Sequence, residues 1–104
     1  MSIPVEVADI PHRLAEFDRG YLLTARDGAV KAVSVRVESE DGHLLVRAPG
    51  RGSVANVHAN PSVTLLFPPV ETAGMTLLVD GSAEAEGDDV RVVPTGAVLH
   101  KPVA

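Results

Sequence analysis

The chain has 104 residues, of which 45% are apolar and only 3% aromatic, with a formal net charge of −5. That length suits one core, filled mainly by Val, Leu and Ala, a composition that packs well in strands. The acidic balance and the scattering of the nine basic residues argue against a nucleic-acid module, and the absence of cysteine excludes disulfides, thiolate metal sites and a Cys nucleophile. No apolar run approaches the roughly 18 residues needed to cross a bilayer, and the N-terminus lacks a basic start followed by a long apolar run. A soluble, cytoplasmic protein with no membrane partner is therefore expected.

In chain order, Asp9 to Arg19 reads as one short helix, with Asp9 as cap, Pro11 near the first turn, Leu14 and Phe17 at i, i+3 spacing, and Gly20 as its stop. Tyr21 to Arg26 is a strand candidate. Asp27-Gly28 then signals a hairpin, because both central positions of a type I′ turn need φ > 0. Val33, Val35 and Val37 alternate with Ser34, Arg36 and Glu38, the pattern of a half-buried strand. After a turn at Ser39 to Gly42, His43 to Ala48 forms the next strand. Pro49-Gly50-Arg51-Gly52 breaks the ladder, and Ser53 is placed to cap a helical turn running to Asn60.

Ser62 to Phe67 is a further strand, followed by an exit at Pro68-Pro69. The segment from Met75 alternates through Val79, and Gly81 is read as a bulge inside one long strand reaching Glu86, since Ala83 and Ala85 keep the phase of Val79. Gly87-Asp88 is the next turn. A last strand covers Val90 to Val93 and resumes after Pro94, which belongs at an edge or bulge. Six closely spaced strands with short helices imply a mainly β fold, a six-stranded split barrel forming a single domain over residues 1–104. A thin barrel of this kind leaves apolar side chains on its outer face, so a homodimer is expected.

No histidine pair among His12, His43, His58 and His100 has metal-ligand spacing, so no metal site is expected. His100, near the end of the chain, is a candidate for an interface cleft. No Gly-x-Ser-x-Gly or comparable nucleophile motif occurs, and no catalytic residue can be named. Lys31 and Arg36 are read as sharing a strand face with Ser34, either solvated or facing an anionic ligand.

The order of elements and the stretch Gly50-Arg51-Gly52-Ser53-Val54-Ala55-Asn56-Val57-His58-Ala59-Asn60-Pro61-Ser62-Val63 resemble the pyridoxamine 5′-phosphate oxidase-like split barrels. Lys31-Ala32-Val33-Ser34-Val35 is similar to the family strand that contacts the isoalloxazine ring, and Val79 to Glu84 resembles a later strand. The resemblance implies FMN, or a deazaflavin, bound between two protomers, and an oxidoreductase acting on a small molecule. The implied cofactor-binding residues are Val33, Ser34, Val35, Arg47, Arg51, Gly52, Ser53 and Asn56. Ser53 stands where many members carry a phosphate-binding Lys, and Gly52 where they carry an Arg. Arg47 and Arg51 are the nearby substitutes, since guanidinium grips phosphate in a bidentate way. Two alternatives stay open: a cofactor-free dimeric barrel serving as a binding module, and a binder of haem or another planar ligand through His58 or His100.

Overall fold

Chain reversals are set by residues that tolerate left-handed backbone. Asp27 has φ +50° and Gly28 φ +82°, as a type I′ turn requires, and they join β2 (Gly20–Arg26) to β3 (Ala29–Glu40) in a register that pairs Arg26 with Ala29. The other two tight hairpins turn at Asp41-Gly42 and Gly87-Asp88, linking β3 to β4 (His43–Arg47) and β6 (Thr76–Glu86) to β7 (Asp89–His100).

The computed structural model describes residues 1–102. Its strands are ordered β1-β7-β4-β3-β2-β5-β6, where β1 is Ser2–Val5 and β5 is Ser62–Phe67, and every pairing is antiparallel. β6 also pairs with β7, so β2 to β7 close on themselves into the six-stranded barrel that the sequence implies. The described residues hold a seventh strand that the sequence reading lacks. β1 joins the C-terminal half of β7, Ser2 opposite His100 and Val5 opposite Ala97. Four residues interrupted by Pro4 carry no period-2 signal, and this strand exists only through pairing with a segment at the far end of the chain.

Alternation places Leu22, Val35, Leu44, Val46, Val63, Leu65, Leu77, Val79, Val90 and Val92 inside, with Val33 and Val37 half-buried against them. The register shift lies where expected, opposite Asp80 and Gly81, but the additional residue belongs to β7: Asp80 pairs with Gly96 and Gly81 with Pro94, leaving Thr95 unmatched. Pro94 therefore sits at a bulge, where its missing N–H breaks no ladder bond.

The first helix is shorter than its periodicity suggests. A 3-10 turn at Val7–Asp9 leads into α1 (Ile10–Leu14), and the Asp9 side chain makes no capping hydrogen bond. Ile10 is buried, while Leu14 and Phe17 pack against the core. Gly20 is not a helix stop but the first residue of β2. A Cβ there would lie 2.7 Å from Cε1 of the buried Phe67 ring, so close packing is what requires glycine. The second helix, α2 (Arg51–Ala59), starts two residues before Ser53, with Gly50 at its N-cap. Among the described residues, no helix is long and apolar enough to cross a membrane.

Candidate ligand-binding site at the start of α2

α2 lies against β2 and is pinned there by two asparagines one turn apart. Asn56 Nδ2 donates to Thr24 Oγ1 at 3.0 Å, and Asn60 Nδ2 donates to the Ala25 carbonyl at 3.2 Å. Thr24 is buried, so the Asn56 bond satisfies a hydroxyl that would otherwise be stranded in the core. Asn56 thus has a structural duty that the sequence alone does not disclose. Asn60 Oδ1 also accepts from the Ser62 N–H at 3.1 Å, which fixes the exit into β5.

Ser53 occupies the inner face of this helix. It is fully buried, and its hydroxyl has no partner among the described residues. It therefore cannot cap the helix as the sequence suggests, and it points away from the exposed residues Arg51 and Gly52 that open the helix.

The other end of the pinning geometry brings in Lys31. In the β2–β3 register Lys31 stands opposite Thr24, and its parity is that of Val33 and Val35, not of Ser34 and Arg36. The expectation that Lys31 and Arg36 share a face is thus corrected: successive strand residues alternate, and an odd separation divides them between faces. Lys31 reaches the first turn of α2. A Cβ on Gly52 would be 2.7 Å from Lys31 Nζ and 3.2 Å from its Cε, so the ammonium occupies the space that any other residue would fill. Neither Lys31 nor Arg51 takes part in an ion pair among the described residues. The first turn of α2 contains no acidic residue. A cation held at the positive end of a helix is unfavourable by itself, and an anion between the two relieves both.

Beside this cradle, Arg51 lines a groove of about 540 Å³ together with Ala48, Gly50, Val54, Ala55, His58 and Asp88. Arg47 has a different setting. Its Nε donates to Glu38 at 2.6 Å and its Nη1 to Asp89 at 3.2 Å. These contacts raise its pKa above the ordinary arginine value, the hydrogen bond to Glu38 being the largest cause and Coulombic attraction to Glu38 the next. Arg47 faces a second cleft, of about 520 Å³, lined by Asp18, Arg19, Ser34, Val35 and Arg36. Ser34 is exposed there, whereas Val33 and Val35 direct their side chains to the core and offer a ligand chiefly their backbone.

The residues singled out from the sequence are thus divided. Arg51 and Gly52 open α2, Ser34, Val35 and Arg47 line the other cleft, and Ser53 and Asn56 face inward. Lys31 joins the first group. Its signal in the sequence was parity: a charged residue in phase with the valine stripe lies on the face of β3 opposite Ser34 and Arg36.

No family model matches the chain. Uncharacterised proteins of Mycobacterium bovis and Mycobacterium tuberculosis are each 32% identical to it over 117 aligned positions, covering 96% of this chain and 82% of theirs. Among solved structures, a protein of Listeria innocua provisionally named a pyridoxamine 5′-phosphate oxidase superposes with a TM-score of 0.75 at 15% identity, over 89% of this chain and 96% of that one. An FAD-binding protein of Mesorhizobium loti gives 0.70 at 17% identity, over 97% and 99% of the two chains. The FAD-binding protein of Mycobacterium smegmatis gives 0.67 at 16% identity, over 97% and 100%.

Proposed function

Because the chain belongs to the family of the two mycobacterial proteins and has the pyridoxamine 5′-phosphate oxidase-like split-barrel fold, we propose that it binds a phosphorylated flavin, FMN in the first instance, with the phosphate at the start of α2. The observation that carries this reading is the Lys31 ammonium seated over Gly52 at a helix N-terminus without an acidic partner among the described residues. The cradle fits a phosphate chemically. Lys31 supplies a point charge, Arg51 a guanidinium fork, and the first turn of α2 backbone N–H donors. The Lys that many split barrels carry at the Ser53 position is thereby replaced from the neighbouring strand. Arg47 stays with its two carboxylates.

A flavin bound there would transfer a hydride to or from a small molecule, the chemistry being the cofactor's and the protein's part being to bind and orient it. Ser34 lines the separate cleft on the face of β3 opposite Lys31, so it is not assigned to the ring of a flavin whose phosphate sits at α2. A deazaflavin with a phosphorylated side chain would use the same cradle.

The reading includes a homodimer. The register sets Tyr21 beside Leu66, Leu66 beside Leu78 and Leu78 beside Val98, all on the outer face of the barrel, while Val30 is 69% exposed. A continuous apolar row of this kind favours a second copy.

The test is a fluorescence titration of the purified protein with FMN and with riboflavin, which lacks the phosphate. FMN is expected to bind more tightly. Lys31→Met and Arg51→Ala are each expected to weaken FMN by about 1–3 kcal/mol, the worth of a charge-assisted hydrogen bond, and to leave riboflavin unchanged. No binding of either compound at high micromolar concentration refutes the flavin. It would favour the second reading, a cofactor-free barrel serving as a binding module, for which the buried Ser53 in place of a cation is the supporting observation.

A further inference from the structure

The loop that presents Arg51 and Gly52 is held in an unfavourable conformation from a distant part of the chain. Ala48 has φ +36°, and among the described residues only Asp27 is a second non-glycine residue with positive φ. Asp27 is accounted for by its hairpin. Ala48 has no such turn, and it precedes Pro49, which steers the residue before it toward extended backbone. Left-handed backbone at a residue with a Cβ costs about 1–2 kcal/mol and persists only where surrounding contacts enforce it.

Those contacts come from Asp89, the first residue of β7. Its Oδ1 accepts the Ala48 N–H at 2.8 Å, and its Oδ2 accepts Arg47 Nη1 at 3.2 Å, while Arg47 Nε reaches across to Glu38 on β3. One carboxylate thus grips two consecutive residues at the end of β4. Beyond them Pro49 has a fixed φ, and Gly50, at φ +107°, turns the chain into Arg51. Only Pro49, whose φ is fixed, and Gly50 stand between the held Ala48 and Arg51, so the orientation of Ala48 bears on where the first turn of α2 begins.

We propose that Asp89 is the positioning residue of the α2 site: by holding Ala48 in left-handed backbone it aims Arg51 and the opening N–H groups of α2 at the ligand's phosphate. This rests on the phosphate reading above, and it assigns a role to a carboxylate that itself would repel the ligand. The holding contact is the hydrogen bond to Ala48, not the ion pair to Arg47, and the two can be separated. Asp89→Asn keeps an oxygen acceptor for Ala48 and loses the charge. Asp89→Ala loses both. Ala48→Gly removes the backbone strain, since glycine enters this region freely.

The experiment titrates wild type, Asp89→Asn, Asp89→Ala and the double variant Asp89→Ala/Ala48→Gly with FMN and riboflavin, and follows amide hydrogen exchange of residues 48 to 52. Asp89→Ala is expected to lose FMN affinity by about tenfold, the scale of one misplaced charge-assisted hydrogen bond, with riboflavin unchanged and faster exchange at Ala48. Asp89→Asn is expected near wild type in both assays, and the double variant to recover part of the FMN affinity. A wild type that prefers FMN, with an Asp89→Ala variant of equal preference, overturns this assignment alone. So does an Asp89→Asn variant as impaired as Asp89→Ala. A wild type that binds FMN no better than riboflavin overturns the phosphate reading and this assignment together.

Discussion

Replacing Gly52 by Ala separates the two things that glycine does at the start of α2. The residue has ordinary helical backbone, so Ala is conformationally compatible and removes unfolded-state freedom, a gain of about 0.4–1 kcal/mol. The new Cβ would lie 2.7 Å from Lys31 Nζ, 3.2 Å from its Cε and 3.8 Å from its Cδ, and must displace the end of that chain. Because Lys31 is exposed and its tip flexible, withdrawal costs little in the free protein. The cost appears on binding, where one charge-assisted hydrogen bond of about 1.5–3 kcal/mol is lost, a factor of roughly 10 to 150 in Kd. Gly52→Ala is therefore expected to raise the melting temperature by about 2–8 °C while weakening FMN and sparing riboflavin. Differential scanning fluorimetry and the flavin titration give the two readouts. A lower melting temperature, or an FMN affinity equal to wild type, would refute the argument that Lys31 fills this space as a ligand-binding cation.

Gly20→Ala should act in the opposite way. Its Cβ meets the buried Phe67 ring, which also packs against Phe17 at a centroid distance of 6.3 Å and is held in the core. Overpacking of about 1–3 kcal/mol is expected, visible as an earlier midpoint in urea with an unchanged slope; a wild-type midpoint would contradict the close approach. Ser53→Ala removes a buried hydroxyl that has no partner among the described residues, and should stabilise the fold by about 1 kcal/mol without altering FMN affinity. Loss of stability would reveal a partner for that hydroxyl. Leu78→Glu places a charge in the middle of the outer apolar row and should convert the proposed dimer to a monomer in sedimentation velocity. An unchanged sedimentation coefficient would move the interface elsewhere.

The sequence determined what depends on neighbours along the chain. Asp27-Gly28, the turn within Ser39 to Gly42 and Gly87-Asp88 mark chain reversals because local backbone preference needs no distant partner, and the alternation through Val33, Val35 and Val37 follows from the pleat of a strand; the structure narrows the second turn to Asp41-Gly42. These turns and runs suffice for a six-stranded barrel, and the Gly50 to Val63 stretch suffices to identify the loop and helix that present the candidate site. Tertiary structure decided which side chains meet. β1 arises from pairing across nearly the whole chain and leaves no periodic trace. Gly20 reads as a helix stop until Phe67 is seen beside it, and Ser53 as a cap until its burial is known.

The site shows the same division. Arg47 and Arg51 are both cations close in sequence to one loop, and only the placement of Glu38 and Asp89 shows that, among the described residues, Arg47 is engaged and Arg51 is not. Lys31 is twenty positions away from Arg51, yet it takes the place over Gly52 because α2 packs on β2, the strand that pairs Lys31 with Thr24, and the long Lys31 side chain reaches across to the helix start. Electrostatic pairing is decided by distances of a few ångströms in space, and sequence separation does not encode these distances once the chain has crossed from one strand to another.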